Sequence, residues 1–258
     1  MDEYLAFAKD LARQAGVIML EHFKVGVERE MKSDATPVTI ADKKINKLVI
    51  DSVASAFPGH SVLGEEENSD ANNTEYIWVC DPIDGTIAYT LGIPTNLFSL
   101  ALVHNGESIL GILYDPYTER LYEATKSNGA YLNGSKIRVN SEVSPPGFIT
   151  LPFMQYGITD TAALAKDVIS AGFRCFSVCS VTYESMLVAS GQTVATIFSG
   201  KTPWDIAAVK IIVEEAGGTV TDLYGNEQKY DQPIAGAIVS NGVQHNQLVA
   251  LIKKHITA

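Results

Sequence analysis

The chain has 258 residues, enough for one large domain or for two lobes. With 46% hydrophobic and 19% charged residues it has the composition of a globular protein, not a disordered one. Its formal net charge of -11 argues against nucleic acid as a partner, since phosphodiester binding draws on an excess of Lys and Arg. A small phosphorylated ligand stays compatible with that charge, because a bound cation reverses the local sign.

The first residues, MDEYLAFAKDLARQAG, are acidic at once and lack a signal-peptide pattern. No apolar run reaches the roughly 18 residues of a membrane span. Cys80, Cys175 and Cys179 form a sparse, odd set that fits free thiols in a reducing compartment. These features together predict a cytoplasmic protein with no membrane partner.

In chain order, 2–23 reads as an amphipathic helix with Leu5, Ala8, Leu11, Ala12, Ala15, Met19 and Phe23 on one side. The polar stretch KSDATPVTIAD (32–42) follows. A second helix carries Ile45, Leu48, Val49, Val53 and Phe57 inward and stops near Pro58-Gly59. The period then changes. SVLG (61–64), YIWVC (76–80), LFSLALV (97–103) and SILGILYDP (108–116) read as strands, with HNGE and SNGA as turns. After Pro145-Pro146-Gly147 the chain alternates: helices near 160–171, 182–190, 203–216 and 243–255, strands near 173–179, 193–199, 218–222 and 235–240. The first part is therefore α+β and the second α/β, divided into 1–145 and 146–258.

Acidic residues stand where strands end. Glu65, Glu66 and Glu67 follow SVLG, Asp81 and Asp84 follow YIWVC, and Asp205 follows TVATIF and a short loop. Each group alone has an ordinary explanation. GEEE suits a solvated turn, Asp84-Gly85-Thr86 an Asx turn, and Asp205 a capping position behind Thr202 and Pro203. One convergent cation site accounts for all three at once. Carboxylates gathered without Arg or Lys partners repel one another unless a hard cation neutralises them, and an all-oxygen donor set suits Mg²⁺ or Mn²⁺. The five histidines are scattered, which argues against a His-based zinc site. A helix starting after Gly85 would present N–H groups to a phosphate, and a phosphate beside such a cation is the arrangement of metal-assisted hydrolysis.

GEE (64–66), DPIDGT (81–86) and WDIAAVKIIVEEAGG (204–218) occur in an order and spacing that resemble the inositol monophosphatase family, Mg²⁺-dependent and lithium-sensitive phosphomonoesterases. The resemblance covers nearly the whole chain. GILYDP and GAYLNG are similar to the family's following strand and hairpin, and KSDATPVTIAD to its mobile metal loop. It implies a layered α-β-α-β-α sandwich, a homodimer, and two to three ions per site. Glu65, Asp81 and the Ile83 carbonyl would hold one ion. Asp81, Asp84 and Asp205 would hold a second, and a weaker third would also touch Glu65. Asp42 and Thr86 would share a hydrogen bond and, with Glu65, activate the attacking water. The N–H groups of Gly85 and Thr86 would hold the phosphate, and Lys32 would lie on the closing loop.

The substrate side departs from the family. The resemblance implies an Asn near the position of Ala88 in most members, a Gly near that of Cys179 in many, and a Glu at that of Phe198 in animal inositol-specific ones. Tyr183, Glu184, Ser199 and Lys201 are the candidates for that side. The expected substrate is inositol monophosphate or a similar polyol or sugar phosphate. Histidinol phosphate and fructose 1,6-bisphosphate remain open alternatives, as does a binding or regulatory relative. The Asp-x-x-Asp spacing with Pro between excludes the aspartyl-phosphate class, which uses Asp-x-Asp.

Overall fold

The computed structural model describes residues 1–33, 36–69, 75–141, 147–151 and 160–256. The expected division between 145 and 146 lies outside the described residues.

Helix α1 (Asp2–His22) is followed by a small antiparallel pair, β1 (Arg29–Met31) and β2 (Pro37–Thr39), and by α2 (Ile40–Ala56). Strands β3 (Ser61–Gly64) and β4 (Tyr76–Asp84), the short helix α3 (Thr86–Thr90), and strands β5 (Leu97–His104), β6 (Glu107–Asp115), β7 (Arg120–Thr125), β8 (Ala130–Leu132) and β9 (Ser135–Lys136) come next. The seven strands β3 to β9 form one sheet in sequence order; β3 and β4 are parallel and every later pair is antiparallel.

The second half holds β10 (Phe148–Thr150), α4 (Thr161–Ser170), β11 (Arg174–Phe176), α5 (Val181–Ala189), β12 (Ala195–Phe198), α6 (Ala207–Glu215), β13 (Thr219–Thr221), β14 (Ala237–Ser240) and α7 (His245–Ile252). Its five-stranded sheet has the order β11-β10-β12-β14-β13. Strand β10 runs parallel to both neighbours, and β14 runs antiparallel to both of its own.

Period-two alternation explains why β4 and β5 read as nearly unbroken apolar runs: both faces of the sheet are buried. Trp78 and Cys80 of β4, with Phe98, Leu100 and Leu102 of β5, pack against Leu11, Met19, Ile45 and Val49 of the first two helices. Val79, Leu97, Ala101 and Val103 face the other way, onto α5 and α6, where Met186, Val209 and Ile212 meet Val220 and Val239 of the second sheet. Leu164 and Val168 of α4, with Leu248 and Ile252 of α7, cover that sheet's far face against Ile149, Ile197 and Ile238. The result is the α-β-α-β-α sandwich, and its central helical layer joins the two halves in one core.

No described helix is long and apolar enough to cross a membrane. Several boundaries moved. The strand read as ending at Cys80 runs on to Asp84, so both carboxylates lie within it. The helix read over 203–216 is a 3-10 turn at Pro203–Asp205 followed by α6. Strand β2 lies inside the stretch 32–42 read only as polar, and β1 just before it falls in no expected element, because three-residue strands leave no periodic trace.

Candidate active site

The site begins with a defect in the sheet. Asp81 pairs with Ser99 but Asp84 pairs with Leu97, so three steps along β4 face two along β5. In a regular pleat, residues three apart point to opposite faces; one inserted residue turns Asp84 to the side of Asp81. Pro82 sits in this irregular stretch, where its missing N–H costs no ladder bond. The Ile83 N–H donates to Asp81 Oδ1 at 3.0 Å, and the Thr86 hydroxyl donates to the Ile83 carbonyl at 2.9 Å, closing the turn. Gly85 lies in the left-handed region at φ +85°, and a Cβ there would stand 2.9 Å from Ser180 Cβ and 3.0 Å from the Cys179 carbonyl oxygen. Both facts require glycine.

Asp205 arrives from the opposite half on the 3-10 turn, which the Ser99 hydroxyl ties to β5 through the Trp204 carbonyl at 3.3 Å. Thr202 does not cap this turn; its hydroxyl donates to Asp205 Oδ2. One oxygen each from Asp81, Asp84 and Asp205 lie within 4.8 Å of one another. Among the described residues this is the single group of three or more acidic, His or Cys side chains so placed. Burial pushes the Asp81 and Asp205 carboxyls well above the ordinary range, and the neighbouring carboxylates, Glu65 included, add to it. Asp84 is raised by burial too, against the opposing hydrogen bonds from Ser180 and Thr182. Three desolvated carboxyls in mutual contact cannot all ionise alone, whereas a hard divalent cation removes both the repulsion and the desolvation cost. The donor set fits such an ion.

Glu65 leaves β3 beside Asp81, its N–H donating to the Cys80 carbonyl at 3.1 Å. Gly64 before it permits this exit, since a Cβ would fall 2.3 Å from Asn46 Oδ1 and 2.5 Å from the Glu67 carbonyl oxygen. The expectation of acidic groups without a basic partner fails here. Lys32 Nζ lies 2.8 Å from Glu65 Oε1 and 2.6 Å from Glu66 Oε1. Burial works to lower the Lys32 pKa, but the two glutamates raise it on balance above the ordinary lysine value. The sequence separation of 33 residues hides this pair from any local pattern.

Asp42 is fully buried in the first turn of α2. Its Oδ2 accepts from the Thr39 N–H at 2.8 Å and the Thr39 hydroxyl at 2.5 Å, a capping box. Its Oδ1 is buried and has no hydrogen-bond partner among the described residues. Burial, opposed by the Thr39 bonds and helped by Glu65 and Glu66, raises its pKa to about 7. The Asp42–Thr86 hydrogen bond implied by the resemblance is not formed: Thr86 gives its proton to the Ile83 carbonyl.

The substrate-side candidates separate. Glu184 is buried and holds the preceding loop, its Oε1 accepting from the Ser177 hydroxyl at 2.8 Å and the Val178 N–H at 2.7 Å. Burial lifts its pKa to about 7. Tyr183 lies with Leu97, Asp115, Tyr122 and Met186 around a narrow recess. Ser199 is buried and Lys201 exposed. Cys179 is exposed and adopts φ +62°, in the left-handed region that favours glycine. Sequence reasoning missed Ser180 and Thr182, which both hold Asp84; the available signal was Ser180 as the N-cap of α5.

The family description "Inositol monophosphatase family" matches residues 1–257. A histidinol-phosphatase of Chlorobaculum parvum is 33% identical, the match covering 96% of each chain. A fructose-1,6-bisphosphatase/inositol-1-monophosphatase of Aquifex aeolicus is 32% identical over 99% of this chain and 97% of its own. The solved structure of a Thermotoga maritima IMPase superposes with a TM-score of 0.87 at 30% identity, covering 98% of both chains.

Proposed function

This chain belongs to the inositol monophosphatase family and is a phosphatase, and on that premise we propose a Mg²⁺-dependent phosphomonoesterase acting on inositol monophosphate or a similar polyol or sugar phosphate. The observation that carries the metal reading is the convergence of Asp81, Asp84 and Asp205 within 4.8 Å, from two separate elements.

Asp81, Asp84 and Asp205 would hold one ion, and Glu65, Asp81 and the Ile83 carbonyl another; Mn²⁺ suits the same oxygens. When bound, the ions neutralise these carboxylates and polarise the phosphoryl group and the water that attacks it. The chain's own residues do the rest. The N–H groups of Gly85 and Thr86 bind phosphate oxygens at the turn behind the bulge, where the absence of a side chain on Gly85 lets the ligand approach. Asp42 takes the proton of the attacking water. Its Oδ1, without a hydrogen-bond partner among the described residues, supplies the acceptor, and burial, which raises the basicity of the carboxylate, suits that role. The Thr86 hydroxyl, which donates to the Ile83 carbonyl, would orient that water through its oxygen. Lys32, on the loop over the site, neutralises Glu65 and Glu66.

The relatives named for histidinol phosphate and for fructose 1,6-bisphosphate favour a second reading, in which the same machinery serves one of those substrates. Phe198, at the position where the resemblance implies Glu in animal inositol-specific members, supports keeping it. We place the protein in the cytoplasm as a homodimer, on its free thiols and its family. Phosphate release from inositol 1-phosphate, fructose 1,6-bisphosphate, histidinol phosphate and 3′-phosphoadenosine 5′-phosphate, each with and without lithium, tests the assignment. Strong preference for a non-polyol substrate, the adenosine compound above all, would overturn the substrate class.

A further inference from the structure

Asp84 receives an unusual amount of help from the other half of the chain. The Thr182 N–H donates to its Oδ2 at 2.9 Å, the Thr182 hydroxyl donates to the same atom at 2.6 Å, and the Ser180 hydroxyl donates to it as well. All three groups are buried. The donors sit in and before the first turn of α5, a segment seated on the β4 turn by further contacts. Thr95 donates its hydroxyl to the Val178 carbonyl at 2.8 Å, Glu184 holds Ser177 and Val178, and Gly85 meets Cys179 and Ser180 edge to edge.

A carboxylate oxygen offers about two lone-pair sites, so three donors saturate Oδ2. The other oxygen, Oδ1, is then the atom left to face a cation. We infer that Thr182, with Ser180, is a positioning residue that locks Asp84 and assigns Oδ1 as its metal-ligand atom, so that the α5 turn sets the affinity of the site for its ion. The inference rests on the metal reading proposed above. Such partners of metal-binding carboxylates fix the ligand's orientation, and losing one typically costs about 10–100-fold in metal affinity. The Thr182 hydroxyl adds a second bond to one its backbone already makes, so its role is separable from the fold of the turn.

The test is calorimetric titration of the chelator-stripped full chain with Mn²⁺ alone, comparing wild type, Thr182→Val and Thr182→Ser. Valine keeps the shape and the N–H bond but deletes the hydroxyl; serine keeps the hydroxyl. The expected result is Mn²⁺ binding weakened about tenfold or more in the valine variant, with the serine variant restored toward wild type. Rescue by serine is what a merely structural threonine would not show. If valine fails to fold, Ser180→Ala removes another of the three donors and carries the same expectation. Mn²⁺ binding by the valine variant equal to wild type overturns the inference and leaves the metal reading standing. Wild-type protein that takes up no Mn²⁺ overturns the metal reading, and the inference with it.

Discussion

Asp84→Asn should inactivate the protein and at the same time make its metal-free form harder to melt. The asparagine side-chain oxygen can still accept from Ser180 and Thr182, so the turn keeps its hydrogen bonds. What disappears is one negative charge from a trio whose oxygens lie within 4.8 Å. At that separation and an effective dielectric constant of about 20, each ionised pair repels by roughly 3 kcal/mol. The raised pKa values of all three carboxyls mean that part of this is already relieved by protonation at neutral pH. A realistic gain is about 2 kcal/mol, or roughly 4–8 °C in melting temperature for a chain of this size. The assay is thermal unfolding in EDTA and again in excess Mg²⁺, with phosphate release measured alongside. Wild type should gain stability from Mg²⁺ and the variant little or none, with turnover lost. A folded Asp84→Asn protein with near-normal turnover, or one less stable than wild type in EDTA, would refute the account of the site.

Stability in EDTA should also depend on pH. Asp42 and Glu184 have pKa values raised to about 7 by burial, while the unfolded chain returns them to about 4. The folded form therefore binds more protons across that window, and stability falls as pH rises through it. Melting in EDTA should be lower at pH 8 than at pH 5.5, with a flatter slope in Glu184→Gln; a melting temperature that climbs with pH would contradict this. Lys32→Met removes the ammonium that competes for Glu65 and should lower the half-saturating Mg²⁺ concentration about fivefold, the equivalent of ~1 kcal/mol for a half-buried pair. An unchanged or higher requirement would assign Lys32 another task. Gly85→Ala should cost about 1–2 kcal/mol from the left-handed backbone alone, and more from the contact with Ser180, which must shift away from Asp84. Turnover and substrate affinity should both fall, because the same turn is proposed to hold the phosphate, and a fully active alanine variant would show that the turn tolerates displacement.

The fold was legible wherever a period lasted several turns or strands. The inward residues of α1 and α2, and the long strands β4 to β6, stand where the pattern of apolar residues put them. DPIDGT disclosed two of the three clustered carboxylates because the chemistry is local to six residues. Composition could not disclose the bulge that turns Asp84 toward Asp81: its cause is pairing with β5, not the residues themselves. Lys32 with Glu65, and Ser180 and Thr182 with Asp84, are equally invisible, since each joins segments 33 or more residues apart. Asp205 could be read locally as a cap, and only the tertiary approach of the second half gives it another purpose.

The most direct test of the central claim is phosphate release by the wild-type chain from inositol 1-phosphate as Mg²⁺ is titrated into chelator-stripped protein, then withdrawn with EDTA. Turnover is expected to be absent without the ion, saturable with it, and fully lost on chelation, with added Mg²⁺ restoring it. Turnover at the same rate in EDTA as in Mg²⁺, from protein shown to be folded, would contradict that claim.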